Sequence, residues 1–303
     1  MNSKVQLFLL TIAGLIFATT RAMPQGNGYA LQFDGVDDYV NVPYNSTIDI
    51  GSSLTVELWI KANLTQSSGD CCYNVIDKSH SEGGWTLQGS ISTGRLAFIV
   101  SDGHGGFPSA ETQVSILDDT WHHIAGVLDG SNVIIYLDGI VQETSTFSGS
   151  AVNSMAPLNI GRWEAGASRY FRGTIDEVNI WNFARTQSEI QQTMHTTLLG
   201  SEQGLVAYWR FDEGSGSTTC DLSAHGNRGL LHNGVAWTPS TAPVATLTPS
   251  QCVPILTQLG WIILSVLIAL TGMWMMRKYA LATRQAPRAC QGAGFRFRQG
   301  NCN

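Results

Sequence analysis

The stretch "TWHHIAGVLDGSNVIIYLDG" (Thr120–Gly139) decides the fold. Each Asp-Gly, at 129–130 and 138–139, is a turn signal, because glycine takes positive φ without a steric penalty. Between the turns the residues are apolar and largely β-branched, so the stretch reads as strand, turn, strand, turn. On a strand, neighbouring side chains point to opposite faces. His122 and His123 therefore do not form one chelating or catalytic pair, and they read as structural histidines.

The same signature extends in both directions. "LTVELWIK" (54–61) alternates, with Leu54, Val56, Leu58 and Ile60 on one face and Thr55, Glu57, Trp59 and Lys61 on the other. "GRLAFIVSDG" (94–103), "PLNIGRW" (157–163), "YFRGTIDEVNIWN" (170–182) and "GLVAYWRFDEG" (204–214) behave alike, with turn residues between them. The pattern predicts an all-β antiparallel two-sheet sandwich or jelly roll. One helix interrupts it. "RTQSEIQQTMHTTL" (185–198) opens on a capping box, Thr186 with Glu189, and Ile190, Met194 and Leu198 recur at helical spacing. It reads as a short covering helix.

The ends of the chain differ from this body. Residues 1–22 have a basic start at Lys4, an apolar core and a small-residue exit, as in a secretory signal peptide. Residues 238–252, "TPSTAPVATLTPSQC", are Pro/Thr/Ser-rich and read as a linker. Within 253–278, Ile255 to Met276 is uncharged, long enough to cross a bilayer of ~30 Å, and Arg277 and Lys278 follow. Basic residues stay in the cytoplasm, so the body is expected outside and the 279–303 tail inside. Charged residues make up only 13% of the chain and no basic run occurs before the tail, which argues against a nucleic-acid partner.

Six cysteines are present. Cys71, Cys72, Cys220 and Cys252 fall in the exported part and are the disulfide candidates. They allow three pairings, and a Cys71–Cys72 bond is expected to be strained. No CxxC pair offers a zinc site.

"LQFDGVDDYVNVP" (31–43), "LTVELWIKA", "WHHIAGVLDGSNVIIYLDGIV", "LNIGRW", "FRGTIDEVNIWNFARTQSEI" and "LVAYWRFDEGSG" together resemble the laminin-G-like jelly-roll domain of the concanavalin A-like superfamily, over about residues 29–237. The resemblance implies two antiparallel sheets packed face to face, one with a concave surface. It implies a structural calcium that ties the start of the domain to the "IDE" strand, which nominates Asp34 and Asp176. Read by themselves, Asp34 equally serves as a turn cap and Asp176 as an acceptor of backbone amides. "VPILTQLGWIILSVLIAL" (253–270) is similar to the IPTL-CTERM sorting signal of Gram-negative surface proteins, though the chain runs on to Asn303. That similarity implies an envelope location, surface sorting and a sorting protease as partner.

Relatives on this fold include glucanases, which place paired carboxylates on one strand face. No such pair is legible: Glu57 stands alone, and Asp176 and Glu177, being adjacent, are expected to point apart. The reading is therefore a non-catalytic binding module for an extracellular glycan or protein. The alternatives are an inert envelope protein and a diverged glycoside hydrolase. Loop aromatics suit a sugar surface, because pyranose faces stack on rings. Trp85, His104, Phe107, Trp163 and Tyr170 are the ligand candidates, while Trp59, Trp121, Trp181 and Trp209, within strands, are expected to pack.

Overall fold

The computed structural model describes residues 28–49, 51–63, 71–79, 83–165 and 169–245. Both terminal apolar runs and Cys252 lie outside the described residues. Among those described, no helix is long and apolar enough to cross a membrane.

Two antiparallel sheets of eight strands each make up the body. The first holds β1 (Tyr29–Asp34), β3 (Leu54–Asn63), β8 (Asp118–Leu128), β9 (Asn132–Leu137), β10 (Ile140–Thr146), β12 (Arg172–Trp181), β13 (Leu205–Trp209) and β16 (Ala236–Pro239). Its order is β10-β9-β8-β3-β12-β1-β16, and β13 pairs with β12 beyond the end of β1. The second holds β2 (Tyr39–Val42), β4 (Cys72–Asp77), β5 (Trp85–Ser90), β6 (Leu96–Val100), β7 (Ser109–Glu111), β11 (Leu158–Ile160), β14 (Thr218–Thr219) and β15 (Gly229–His232). Its order is β14-β15-β2-β11-β4-β5-β6-β7. This is the expected sandwich.

The period-2 pattern decides which side chains meet between the sheets. Leu54, Val56, Leu58 and Ile60 of β3 join Leu31, Phe33, Ile124, Ile175, Val178 and Ile180 in one buried cluster with Val40, Val75, Leu87 and Phe98 of the opposite sheet. Each such side chain contributes roughly 1.5–3 kcal/mol by leaving water. The Asp138-Gly139 turn joins β9 to β10 with φ of 51° and 72°, the two positive values a tight hairpin needs. His123 and His122 do point to opposite faces: His123 meets Glu57, while His122 bridges Asp118 and Asp138.

The α-helix, α1 (Gln187–Thr193), forms with both capping-box bonds of Thr186 and Glu189 in place. Its buried Ile190 packs on Ala125, Val127 and Tyr136, which lie on the outer face of the first sheet. The chain also stays on the body beyond Trp237. β16 pairs with β1 as far as Pro239, Ser240 and Ala242 are buried, and Ala245 bridges Thr196. So Thr238 to Ala245, which the sequence reads as the start of a linker, is part of the folded unit. Cys71 and Cys72 are bonded to each other, the pairing that the sequence disfavoured, and Cys220 is also disulfide-bonded.

Candidate functional site

Two different surfaces share the outer face of the first sheet. The first is a groove of about 600 Å³. Cross-strand register builds its floor. Ala236 of β16 faces Gln32 of β1, Gln32 faces Thr174 of β12, Thr174 faces Lys61 of β3, and Lys61 faces Trp121 of β8. A parallel row runs from Asp34 to Arg172 and on towards Asn63. Trp121 stands at one side, half-buried, and its Nε1–H donates to Thr241 Oγ1 at 2.9 Å. Lys61 Nζ lies 3.8 Å from Asp119 Oδ1. Asp38, Asn233 and Gly234 close one end. The lining is mostly polar and mixed in sign, with one ring exposed to it.

The second surface is the remainder of that face, sealed under α1, residues 195–198 and 240–245. Glu57, 1% exposed, is clamped by Arg185 Nη1 at one oxygen, and its other oxygen lies 3.4 Å from His123 Nε2. Arg185 also donates to Glu189 O (2.8 Å) and Thr193 Oγ1 (2.9 Å), and its guanidinium stacks 4.3 Å over Trp181. Burial opposes ionisation of Glu57, but His123 and Arg185 together outweigh it and hold the carboxyl below its ordinary value.

On β12 the sequence expectation fails. The register slips between Asp176 and Asn179, and Glu177 has φ +52°, so a β-bulge turns Glu177 to the same face as Asp176. Tyr208 donates to Glu177, whose other oxygen lies 3.7 Å from Arg210 Nε; Ser240 Oγ donates to Asp176 Oδ2 at 2.5 Å. Burial raises both carboxyls. Asp176 moves well up, with the Glu177 charge adding to the effect. Glu177 moves to about 7 despite its bonds to Tyr208 and Arg210. An adjacent carboxylate pair therefore exists, but Ser240 and its neighbours lie over it.

The nominated residues fall in several places. Trp85 is not on a surface: it is 1% exposed in the core, 6.3 Å from Phe98. His104 and Phe107 are exposed in the β6–β7 loop, which Asp102 Oδ1 organises by accepting the His104 and Gly106 amides, each at 2.8 Å. Trp163 and Tyr170 lie half-buried in the β11–β12 connection, with Arg169 stacked 4.3 Å over Trp163. None of these five lines the groove. Asp34 does, but Asp176 does not. Asp34 faces Arg172, whereas Asp176 sits four residues further along β12, or ~13 Å at strand rise. Asp176 also spends its oxygens on Ser240 and the Glu177 amide. Asp34 and Asp176 do not fit one calcium ion.

Trp121, Lys61, Thr174 and Gln32 were the groove residues that sequence reasoning missed. The available signal was parity: Lys61 already stood on the outward face of its strand, and residues that oppose it share that face.

The sequence pattern of the family described as Concanavalin A-like lectin/glucanases superfamily (Laminin_G_3) matches residues 34–191, over half of the chain. The chain belongs to this superfamily. Its jelly roll is similar to that of a candidate carbohydrate-binding protein from Bacteroides ovatus. There the identity is 22% and the TM-score 0.57, over 73% of this chain and 62% of that one. It is also similar to the heptameric SAP-like pentraxin of Limulus polyphemus, with 14% identity and a TM-score of 0.50 over 72% and 98% of the two chains. Pappalysin-1 of Mus musculus is 25% identical over 157 residues, 48% of this chain; the match spans only 10% of pappalysin-1.

Proposed function

We propose that this superfamily member is an exported, non-catalytic binding module whose groove on the first sheet takes an extracellular glycan. The observation that carries the reading is the contrast within one sheet face. The carboxylates that hydrolysis would need, Glu57, Asp176 and Glu177, are sealed and engaged, while the open part offers Trp121 for stacking. Gln32, Thr174, Asn63 and Lys61 supply polar groups for hydroxyls there. The Bacteroides ovatus candidate carbohydrate-binding protein of the same fold supports a sugar over a peptide. The apolar runs at 1–22 and 253–278 with the basic tail support display on a Gram-negative envelope, body outward, through a membrane-spanning or protease-sorted C-terminus.

An arrayed glycan screen of the full chain tests the function. Binding to a defined glycan, weakened about tenfold or more by Trp121→Ala, is expected; tenfold is ~1.4 kcal/mol, within reach of one stacked ring. Binding that survives Trp121→Ala would place the ligand elsewhere. Cleavage of external Tyr29–Trp237 epitopes by protease added to whole cells tests the topology.

A further inference from the structure

The segment that follows the last strand touches both halves of the outer face. Two neighbouring rows of side chains cross the first sheet there: Thr174, Lys61 and Trp121 in the groove, and Asp176, Trp59 and His123 in the sealed half. Ser240 Oγ donates to Asp176 Oδ2 at 2.5 Å, and the next residue, Thr241, accepts the Trp121 Nε1–H at 2.9 Å. Successive side chains of this segment thus serve opposite sides of one boundary. We propose that Thr241 is a positioning residue for the groove, its hydroxyl holding the Trp121 ring in the orientation that stacks on a sugar. The inference rests on the glycan reading of the groove.

Thr241 is exposed and lines the groove, but the backbone on either side of it is fixed. Ser240 and Ala242 are 5% and 3% exposed. The Ser240 amide donates to Gly28 O at 3.1 Å, and the Ala242 amide donates to Ser240 Oγ at 3.2 Å. A hydroxyl on so constrained a backbone is a fixed acceptor. Trp121, by contrast, stands half-buried at the side of an open groove. Its indole has one polar atom, a donor, and Thr241 takes it. A free ring must be ordered when a ligand arrives, which costs affinity, and a ring already held avoids that cost. With its N–H engaged, Trp121 offers a ligand only its carbon surface. Recognition of hydroxyls therefore falls to Lys61, Thr174 and Gln32 in the same row.

The test uses the full chain, labelled with fluorinated tryptophan for NMR and applied to the same glycan array. Thr241→Val keeps the shape of the side chain and removes the hydroxyl, while Thr241→Ser keeps the hydroxyl. The Trp121 fluorine resonance, identified by its loss in Trp121→Phe, should move towards the position of the free amino acid in Thr241→Val. It should stay in place in Thr241→Ser. Glycans whose array signal depends on Trp121 should bind Thr241→Val about three- to tenfold more weakly and Thr241→Ser as they bind the wild type. Both variants should keep Tm within about 2 °C of wild type, because Thr241 is exposed. Trp121-dependent binding unchanged in Thr241→Val, or a resonance that does not move, would overturn the assignment and leave the glycan reading standing. A larger fall in Tm in Thr241→Val would also overturn it, making Thr241 a packing residue. An array without any Trp121-dependent glycan would overturn the glycan reading and the role of Thr241 with it.

Discussion

Lys61 and Glu57 stand four residues apart on the same face of β3, yet one is 35% exposed over a groove and the other 1% exposed beneath a helix. The same division crosses the sheet. On β8, Trp121 belongs to the groove and His123 to the sealed part; on β12, Thr174 lines the groove while Asp176 is buried under Ser240. Strand geometry treats the two halves identically. What separates them is cover supplied by residues 185–198 and 240–245, which arrive late in the chain. The covered half needs its charges mutually satisfied, and the open half can leave polar groups for a ligand.

The largest expected effect breaks the clamp in the covered half. Arg185→Ala leaves the Glu57 carboxylate buried without its guanidinium partner, and should cost about 3–5 kcal/mol in denaturant unfolding. Lys61→Ala, in the open half, should change stability by less than ~0.5 kcal/mol. Equal losses would mean that the cover does not distinguish the two regions. Rings give a second contrast. Trp181, 3% exposed and packed with Leu198, Leu205 and Tyr208, should cost about 3–5 kcal/mol when replaced by alanine. Trp121→Ala should cost less than half as much while weakening groove binding about tenfold or more. A Trp121 loss as large as that of Trp181 would make it a packing residue, as its place within a strand suggested.

Much of the frame could be read directly. The Leu54–Lys61 alternation put the correct four residues in the core, Asp138-Gly139 marked a hairpin, and Thr186 with Glu189 marked the start of α1. These are local signals, each set by neighbours within a few residues. The site was less legible for two physical reasons. Cover is non-local: nothing in "LTVELWIK" says that Glu57 will meet Arg185, 128 residues away. The bulge is locally silent as well. Glutamate at positive φ is uncommon, and a period-2 reading of "TIDEVNI" sends Asp176 and Glu177 to opposite faces when both point outward. Loop aromatics misled in the same way, since Trp85 follows a glycine-rich segment yet begins β5 inside the core.

The bulge gives the subtlest test. Glu177 faces Asp176, Tyr208, Arg210 and, through charge, Asp212; burial lifts its carboxyl from 4.5 to about 7. The folded state thus holds a proton that the unfolded chain releases from about pH 4.5 upward. In that window the unfolded state binds fewer protons, so this group's contribution to stability is greatest below pH 4.5 and declines as pH rises to about 7. Other groups titrate nearby: burial raises Asp77 in the second sheet to about 6, and Asp138 raises His122, each with the same sign. They are present in both proteins and cancel in a difference. Glu177→Gln keeps the shape and removes the proton equilibrium, and it also lowers the Asp176 carboxyl by removing a like charge beside it. The difference in Tm, variant minus wild type, should therefore grow as pH rises from 4.5 to 7. A difference independent of pH would mean that Glu177 is solvated when ionised, and that the bulge opens this end of the sealed half towards water instead of closing it.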